Sequence, residues 1–151
     1  MDDDIRDLYR DMVMEHSRKP RNFRRLASPT CSADGFNPLC GDQITLDVEL
    51  KDDVISEVSF EGSGCAISRA SASLMTEAVK GKSKAAAVEL FDAFRTMVTR
   101  GVGQDYDDDG LGDLEVLAGV TEFPVRIKCA TLSWHTLKNA LDGGVETAQT
   151  E

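Results

Sequence analysis

The sequence lacks several features that mark common classes of protein. No apolar run approaches the roughly 20 residues that a membrane-spanning helix needs, and the first residues, Met1-Asp2-Asp3-Asp4, are acidic where a secretory signal peptide is basic and then apolar. There is no Cys-x-x-Cys pair, no phosphate-binding loop and no serine-nucleophile motif. These absences argue against zinc ribbons, thioredoxin-like proteins and P-loop enzymes. We therefore expect a cytoplasmic protein with no membrane association.

Positive charge is also scarce. The 151 residues carry 17 Lys and Arg against 27 Asp and Glu, a formal net charge of −10. Nucleic-acid phosphates and anionic membranes would repel such a chain, so we expect neither as a partner. Proteins with basic patches and metal cations are the partners that this charge favours. The length, with 41% hydrophobic residues, predicts one domain over residues 1–145 and a disordered tail over residues 146–151.

Hydrophobic periodicity predicts an α+β fold with a small antiparallel sheet of about three strands. Residues 3–17 have helical spacing, and strict alternation from Gln43 to Lys51 predicts a strand that a turn at Asp52-Asp53 joins to a second strand, residues 54–61. Residues 17–39 are broken by proline and glycine and leave room for one short strand. The other helices are predicted at residues 66–80, 84–100 and 114–120, and residues 123–129 lead into the last helix.

Three of the four cysteines lie in loops or at the ends of predicted elements. Cys40 lies two residues before Asp42, Cys65 precedes a helix N-terminus whose dipole favours a thiolate, and Cys129 falls in the opening turn of the last helix. We therefore predict a convergent site of three thiols and one carboxylate. This donor set is acceptable to zinc, with iron as the competing metal. Cys31 has no nearby partner motif and is interpreted as a loop thiol.

The histidines and an acidic loop receive simpler interpretations. His16 lies near the end of the first helix, where an imidazolium cap is favourable, and we prefer this to a ligand role. His135 is interpreted as a surface or partly buried residue, and its neighbour Trp134 as a packing or partner-docking residue. Residues 105–113 match the first ligand positions of an EF-hand calcium loop, but the closing position is Val116 instead of Glu. We therefore favour a solvated acidic loop there.

Three segments, taken in order, resemble the cysteine motifs of a known family. The segments are Cys40-Gly41-Asp42, Gly64-Cys65-Ala66-Ile67-Ser68 and residues 123–132. They are similar to the motifs of the IscU/NifU-N superfamily of iron–sulfur cluster assembly proteins, and the similarity extends from the Leu8-Tyr9 helix to the last helix. Lys128 stands where scaffold members usually have histidine, and the segment between Gly81 and Cys129 is longer than in the scaffolds. Both features resemble the SufU branch.

The resemblance implies an IscU-like fold with helices packed on one side of the sheet and the site at one end. It also implies one zinc ion per chain, with Cys40, Asp42, Cys65 and Cys129 matching the ligands of the family. By this resemblance Cys40 accepts persulfide sulfur from a SufS-type cysteine desulfurase, stimulates that enzyme, and passes the sulfur toward a downstream iron–sulfur scaffold. The protein would then be a sulfurtransferase that acts with the desulfurase and not an autonomous enzyme.

Two alternatives remain open at this level. One is an IscU-type scaffold that assembles a [2Fe–2S] cluster on the same cysteines, and the other is a purely structural zinc site. Arg126, three residues before Cys129, either stabilises thiolate charge or forms a surface salt bridge. Metal content distinguishes the first alternative, and the stability of a cysteine variant distinguishes the second.

Overall fold

A computed structural model describes residues 3–143 and 148–149 of the chain. In chain order its elements are α1 (Asp3–Arg18), β1 (Cys31–Asn37), β2 (Asp42–Lys51), β3 (Val54–Ser63), α2 (Ala66–Val79), α3 (Lys84–Thr99), a 3₁₀ helix (Gly112–Glu122), α4 (Pro124–Leu141) and β4 (Ala148–Gln149). The sheet order is β3-β2-β1-β4, with β1, β2 and β3 antiparallel and the two-residue β4 parallel to β1. This confirms the predicted α+β class. Apart from β4, the predicted tail lies outside the described residues.

The hairpin of β2 and β3 forms as its alternating pattern predicts. Asp52 and Asp53 both have positive φ angles, 54° and 63°, as a two-residue type I′ turn requires. Leu46 lies opposite Phe60, and both are buried. The short strand that residues 17–39 had room for is β1, which pairs with β2 along its whole length.

The helices that contact the sheet are α2 and α4, and α1, α3 and the 3₁₀ helix pack against these two. Trp134 of α4 is fully buried and stacks on Phe91 and Phe94 of α3, with ring centroids 5.8 Å and 5.0 Å away. It is therefore a packing residue. A Cβ added at Gly35 of β1 would lie 2.1 Å from Thr136 Oγ1, so α4 approaches this strand closely. This contact brings the N-terminal half of α4 near the loop that follows β1.

The segment between α1 and β1 covers the other face of the sheet around Asp47. Alternation places Asp47 on the predicted solvent face of β2, but its side chain is fully buried. Arg25 donates to Asp47 at 2.7 Å and 3.2 Å, and Leu26 N–H and the Ser32 hydroxyl donate to the same carboxylate. Periodicity correctly placed Asp47 on the face of β2 opposite Leu46 and Val48, but the segment that covers it makes this position buried instead of solvent-exposed.

Three local predictions are corrected. Cys31 is not a loop thiol, because it is the first residue of β1 and is partly buried; burial raises its pKa. Helix α4 begins at Pro124, a residue suited to the first helical position, so Cys129 lies in the second turn and not the first. The predicted helix over residues 114–120 is instead a 3₁₀ helix of 11 residues.

His16 is not a cationic cap. It is 5% exposed and its Nδ1 lies 2.7 Å from Ser73 Oγ on α2. Burial and the charge of Arg21 lower its pKa, which favours the neutral ring at pH 7. Among the helices of the described residues, none has the length and apolar character needed to cross a membrane.

Candidate metal centre

A four-residue loop, residues 38–41, joins β1 to β2 and carries Cys40. Gly41 N–H donates to Asn37 O at 2.8 Å, which closes the loop. Gly41 has a φ of 71°, a conformation that side chains with a Cβ disfavour. Cys40 is partly exposed at the end of the sheet, and its neighbour Leu39 is 61% exposed. The loop therefore presents a thiol to solvent beside an apolar side chain.

Asp42, the first residue of β2, is fully buried. Its Oδ1 accepts the Cys65 backbone N–H at 2.9 Å, and its Oδ2 accepts the Asn37 side-chain N–H at 3.0 Å. A Cβ added at Gly64 would lie 2.6 Å from Asp42 Oδ1, so only glycine allows the chain to pass so close. These contacts hold the carboxylate in one orientation, although among the described residues no cationic side chain bonds to it.

The thiol of Cys129 completes a convergent group with Cys40 and Asp42. Cys129 is fully buried on α4, and its Sγ lies 3.4 Å from Cys40 Sγ. The two sulfur atoms and a carboxylate oxygen of Asp42 all lie within 4.8 Å of one another. For comparison, two thiolates that bind one tetrahedral zinc ion, with Zn–S bonds of about 2.3 Å, lie about 3.8 Å apart.

Cys65 borders this group but does not belong to it by the same distance measure. It is the N-cap residue of α2, and its backbone N–H is the donor to Asp42. Its thiol is close enough to Cys129 to raise the pKa of that residue. The structure therefore brings three of the four predicted ligands together and leaves the fourth at their edge.

The surroundings of Cys129 disfavour its thiolate form. Burial raises the pKa of Cys129, and the neighbouring Cys40, Asp42 and Cys65 raise it further. The charges of Cys65 and Cys129 raise the pKa of Arg126, whose guanidinium lies near both. One arginine cannot offset three thiolates and a carboxylate, whereas a dication would reverse the direction of these shifts.

The donor set fits a tetrahedral metal ion of the zinc type. Thiolate sulfur and carboxylate oxygen are both ligands of zinc, two of the donors are buried, and a backbone N–H and an amide already orient the carboxylate. Ligands that are hydrogen-bonded from outside in this way are usual in metal sites. The histidines take no part in the group, since His16 bonds to Ser73 and His135 packs edge-on against Phe91.

Asn37 is a residue of this site that sequence reasoning missed. It is fully buried at the end of β1, and its Nδ2 donates to Asp42 Oδ2 and lies 3.5 Å from Cys129 Sγ. The available signal was its position directly before Pro38. A hairpin loop over residues 38–41 places Asn37 opposite Asp42. This pairing could not be predicted, because the hydrophobic periodicity did not define where β1 begins and ends.

A family model described as the NifU-like N terminal domain matches residues 8–130 of this chain. The chain belongs to this family. The zinc-dependent sulfurtransferase SufU of Bacillus subtilis is 45% identical over 135 residues, which cover 89% of each protein. The iron–sulfur cluster assembly scaffold protein IscU of Streptococcus pyogenes is also 45% identical over 135 residues, 89% of this chain and 82% of that protein.

A solved structure agrees with the family assignment. The crystal structure of a putative iron–sulfur cluster assembly scaffold protein for the SUF system from Fervidobacterium islandicum superposes with a TM-score of 0.80 at 34% identity. The match covers 87% of this chain and 94% of that one. That protein thus shares the fold of this chain. The two relatives described above are equally similar to this chain in sequence, but one is named a sulfurtransferase and the other a scaffold protein.

Proposed function

We propose that this family member is a zinc-dependent sulfur-transfer protein of iron–sulfur cluster biogenesis that works with a SufS-type cysteine desulfurase. The observation that carries the proposal is the unequal exposure of the convergent donors. Cys40 is partly exposed on a hairpin loop, while Asp42 and Cys129 are buried around it. Two donors are thus suited to hold an ion, and one is suited to meet a partner.

Cys40, Asp42, Cys65 and Cys129 are the residues that would hold one zinc ion per chain. When bound, zinc keeps a thiol deprotonated and masked at neutral pH. Asp42 is oriented by its two hydrogen bonds, and Cys65 stands at the N-cap of α2. Arg126 lies against Cys65 and Cys129, where its charge offsets that of the thiolates.

Sulfur transfer in this proposal occurs at Cys40 Sγ. The Cys40 thiolate attacks the terminal sulfur of a cysteine persulfide on the desulfurase and forms a new S–S bond. The S–S bond of the partner breaks, and its cysteine leaves as a thiolate, so no external oxidant or reductant is needed. The Cys40 persulfide then passes its sulfur to a downstream iron–sulfur scaffold.

The exposed apolar residues near the thiol support a partner-dependent reaction. Leu39 is 61% exposed beside Cys40, and Val125, one turn before Cys129 on α4, is 57% exposed. Phe123 at the N-cap of α4 is 61% exposed. Isolated apolar side chains are common on surfaces, but three of them flanking two predicted ligands are what a docking partner would cover.

A scaffold that assembles a [2Fe–2S] cluster is the second candidate. The IscU relative from Streptococcus pyogenes, at the same 45% identity as SufU, favours it. Lys128 in place of a histidine ligand favours sulfur transfer instead. Protein purified without added iron separates the two candidates: about one colourless zinc ion per chain is expected for sulfur transfer, and a stable brown chromophore for the scaffold.

The deciding experiment compares Cys40→Ala with Cys31→Ala. Cys31 is a partly buried thiol at the opposite end of β1, so its variant controls for cysteine loss. With a desulfurase turning over radiolabelled cysteine, Cys31→Ala should carry label and stimulate the enzyme, and Cys40→Ala should do neither. Full stimulation by Cys40→Ala would refute the mechanism. If Cys40→Ala loses its cooperative thermal melt, the site is structural instead.

A further inference from the structure

Asn37 makes contacts with two predicted metal ligands that come from different elements. It is the last residue of β1 and lies directly opposite Asp42 in the register of the sheet. Its Nδ2 atom is 3.0 Å from Asp42 Oδ2 and 3.5 Å from Cys129 Sγ on α4. An amide nitrogen carries two N–H groups, so each ligand can receive one.

The orientation of this amide follows from its neighbours. An ionised carboxylate and a thiolate accept hydrogen bonds and donate none, so the nitrogen and not the oxygen must face them. The oxygen, Oδ1, is buried and has no hydrogen-bond partner among the described residues. Leaving a buried polar atom unpaired destabilises a fold. The contacts that this side chain does make are therefore those of its N–H groups.

We propose that Asn37 is a positioning residue of the metal centre, which holds the Asp42 carboxylate and the Cys129 thiolate in the orientation that binds the ion. The inference rests on the proposed zinc site. Asn37 holds one carboxylate oxygen and the Cys65 backbone N–H holds the other, so the plane of the carboxylate is defined from both sides. As a neutral donor, the amide stabilises both anions without adding a positive charge that would compete with the ion.

The same pair of strands contains a matched control. Ser32 of β1 lies directly opposite Asp47 of β2 and donates to its carboxylate, as Asn37 does to Asp42. Both aspartates are fully buried. Five residues separate the two pairs along each strand, roughly 16 Å, so Ser32→Ala removes a hydrogen bond from strand to carboxylate without touching the cysteines.

The test measures zinc affinity by competition with a chromophoric chelator for the full chain, Asn37→Ala, Asn37→Val and Ser32→Ala. Loss of hydrogen-bonding partners outside the ligand shell weakens metal binding about 10- to 100-fold, and we expect this range for both Asn37 variants. Ser32→Ala should stay within about twofold of the full chain, since distant sites act independently. The absorption bands of the cobalt-substituted protein should shift in both Asn37 variants and not in Ser32→Ala.

Valine is included because it suits a strand and fills most of the space of asparagine, so it decides the question if the alanine variant does not fold. Zinc affinity and cobalt bands unchanged in the Asn37 variants would overturn the inference. An equal loss of affinity in Ser32→Ala would also overturn it, since that result marks a merely structural effect. If the unmodified chain itself binds no zinc, the proposed function fails first.

Discussion

The close approach of Gly64 to Asp42 predicts a large effect from a single methyl group. In Gly64→Ala the new Cβ would lie 2.6 Å from Asp42 Oδ1, 3.1 Å from its Cγ and 3.2 Å from its Cβ. Side-chain Cβ atoms essentially never come closer than 3.0 Å to a heavy atom of a residue outside their immediate chain neighbours. The aspartate cannot rotate away, because it is buried and both its oxygens are hydrogen-bonded. The loop that carries Cys65 must move instead.

The size of that movement sets the expected loss. Reaching 3.0 Å from 2.6 Å requires a shift of about 0.4 Å, and ordinary contact at 3.4 Å requires about 0.8 Å. The Cys65 N–H to Asp42 bond, 2.9 Å long, would stretch beyond about 3.2 Å, the upper end of good geometry. A hydrogen bond to a charged group contributes about 1.5 to 3 kcal/mol. Metal binding must draw both predicted ligands together again, so zinc affinity should fall roughly tenfold to a hundredfold.

Gly119→Ala is the control for this prediction. Gly119 lies in the 3₁₀ helix. The atom nearest to a Cβ added there would be Glu122 Oε2 at 3.9 Å, an ordinary contact. Zinc affinity from chelator competition should therefore change in Gly64→Ala and not in Gly119→Ala, with thermal melts of the metal-free proteins recorded in parallel. A Gly64→Ala protein with unchanged zinc affinity would refute the reasoning, because Cys65 and Asp42 would then not act on one ion.

Two further predictions concern stability away from the cysteines. Asp47→Asn should lower the free energy of unfolding by about 1 to 3 kcal/mol, because the hydrogen bonds from Leu26 N–H and the Ser32 hydroxyl lose their charged acceptor. The ion pair with Arg25 adds little to this loss, because solvent screens the half-exposed guanidinium. Urea titrations that match the unmodified chain would contradict this. Burial lowers the pKa of His16 below 6.5, so the unfolded chain binds more protons and stability should fall as pH drops below about 6.5. His16→Gln should reduce that fall between pH 7.5 and 5.5 in metal-free protein, and an identical pH profile would contradict it.

Much of the fold could be predicted because its signals are local. The alternation that defines β2 and the turn at Asp52 and Asp53 depend on neighbours a few residues apart, and both formed as predicted. Strand β1 was harder to predict, because Cys31 and the residues after it alternate weakly and lie between Pro29 and Pro38. Its limits come from pairing with β2, which is a long-range property.

The environments of single residues were the least predictable part. Asp47 looked solvent-exposed from its periodicity, and the position of His16 near the end of α1 suggested a cationic cap, yet other segments of the chain cover both side chains. The only local signal at Asn37 was its position directly before Pro38. Its contact with Asp42 comes from the pairing of β1 with β2, and its contact with Cys129 from the close packing of α4 against β1 at Gly35. Packing between distant segments, and not local preference, decided each of these cases.

By itself, the sequence predicted most of the element types, a candidate donor set of four residues and the resemblance to a family, because each rests on residue identity and short spacing. Only the tertiary structure decided how the donors differ. It buried Asp42 and Cys129, left Cys40 partly exposed, and kept Cys65 at the edge of the group. The physical reason is that these residues lie on three separate elements, so their distances and exposure depend on how α2 and α4 pack on the sheet.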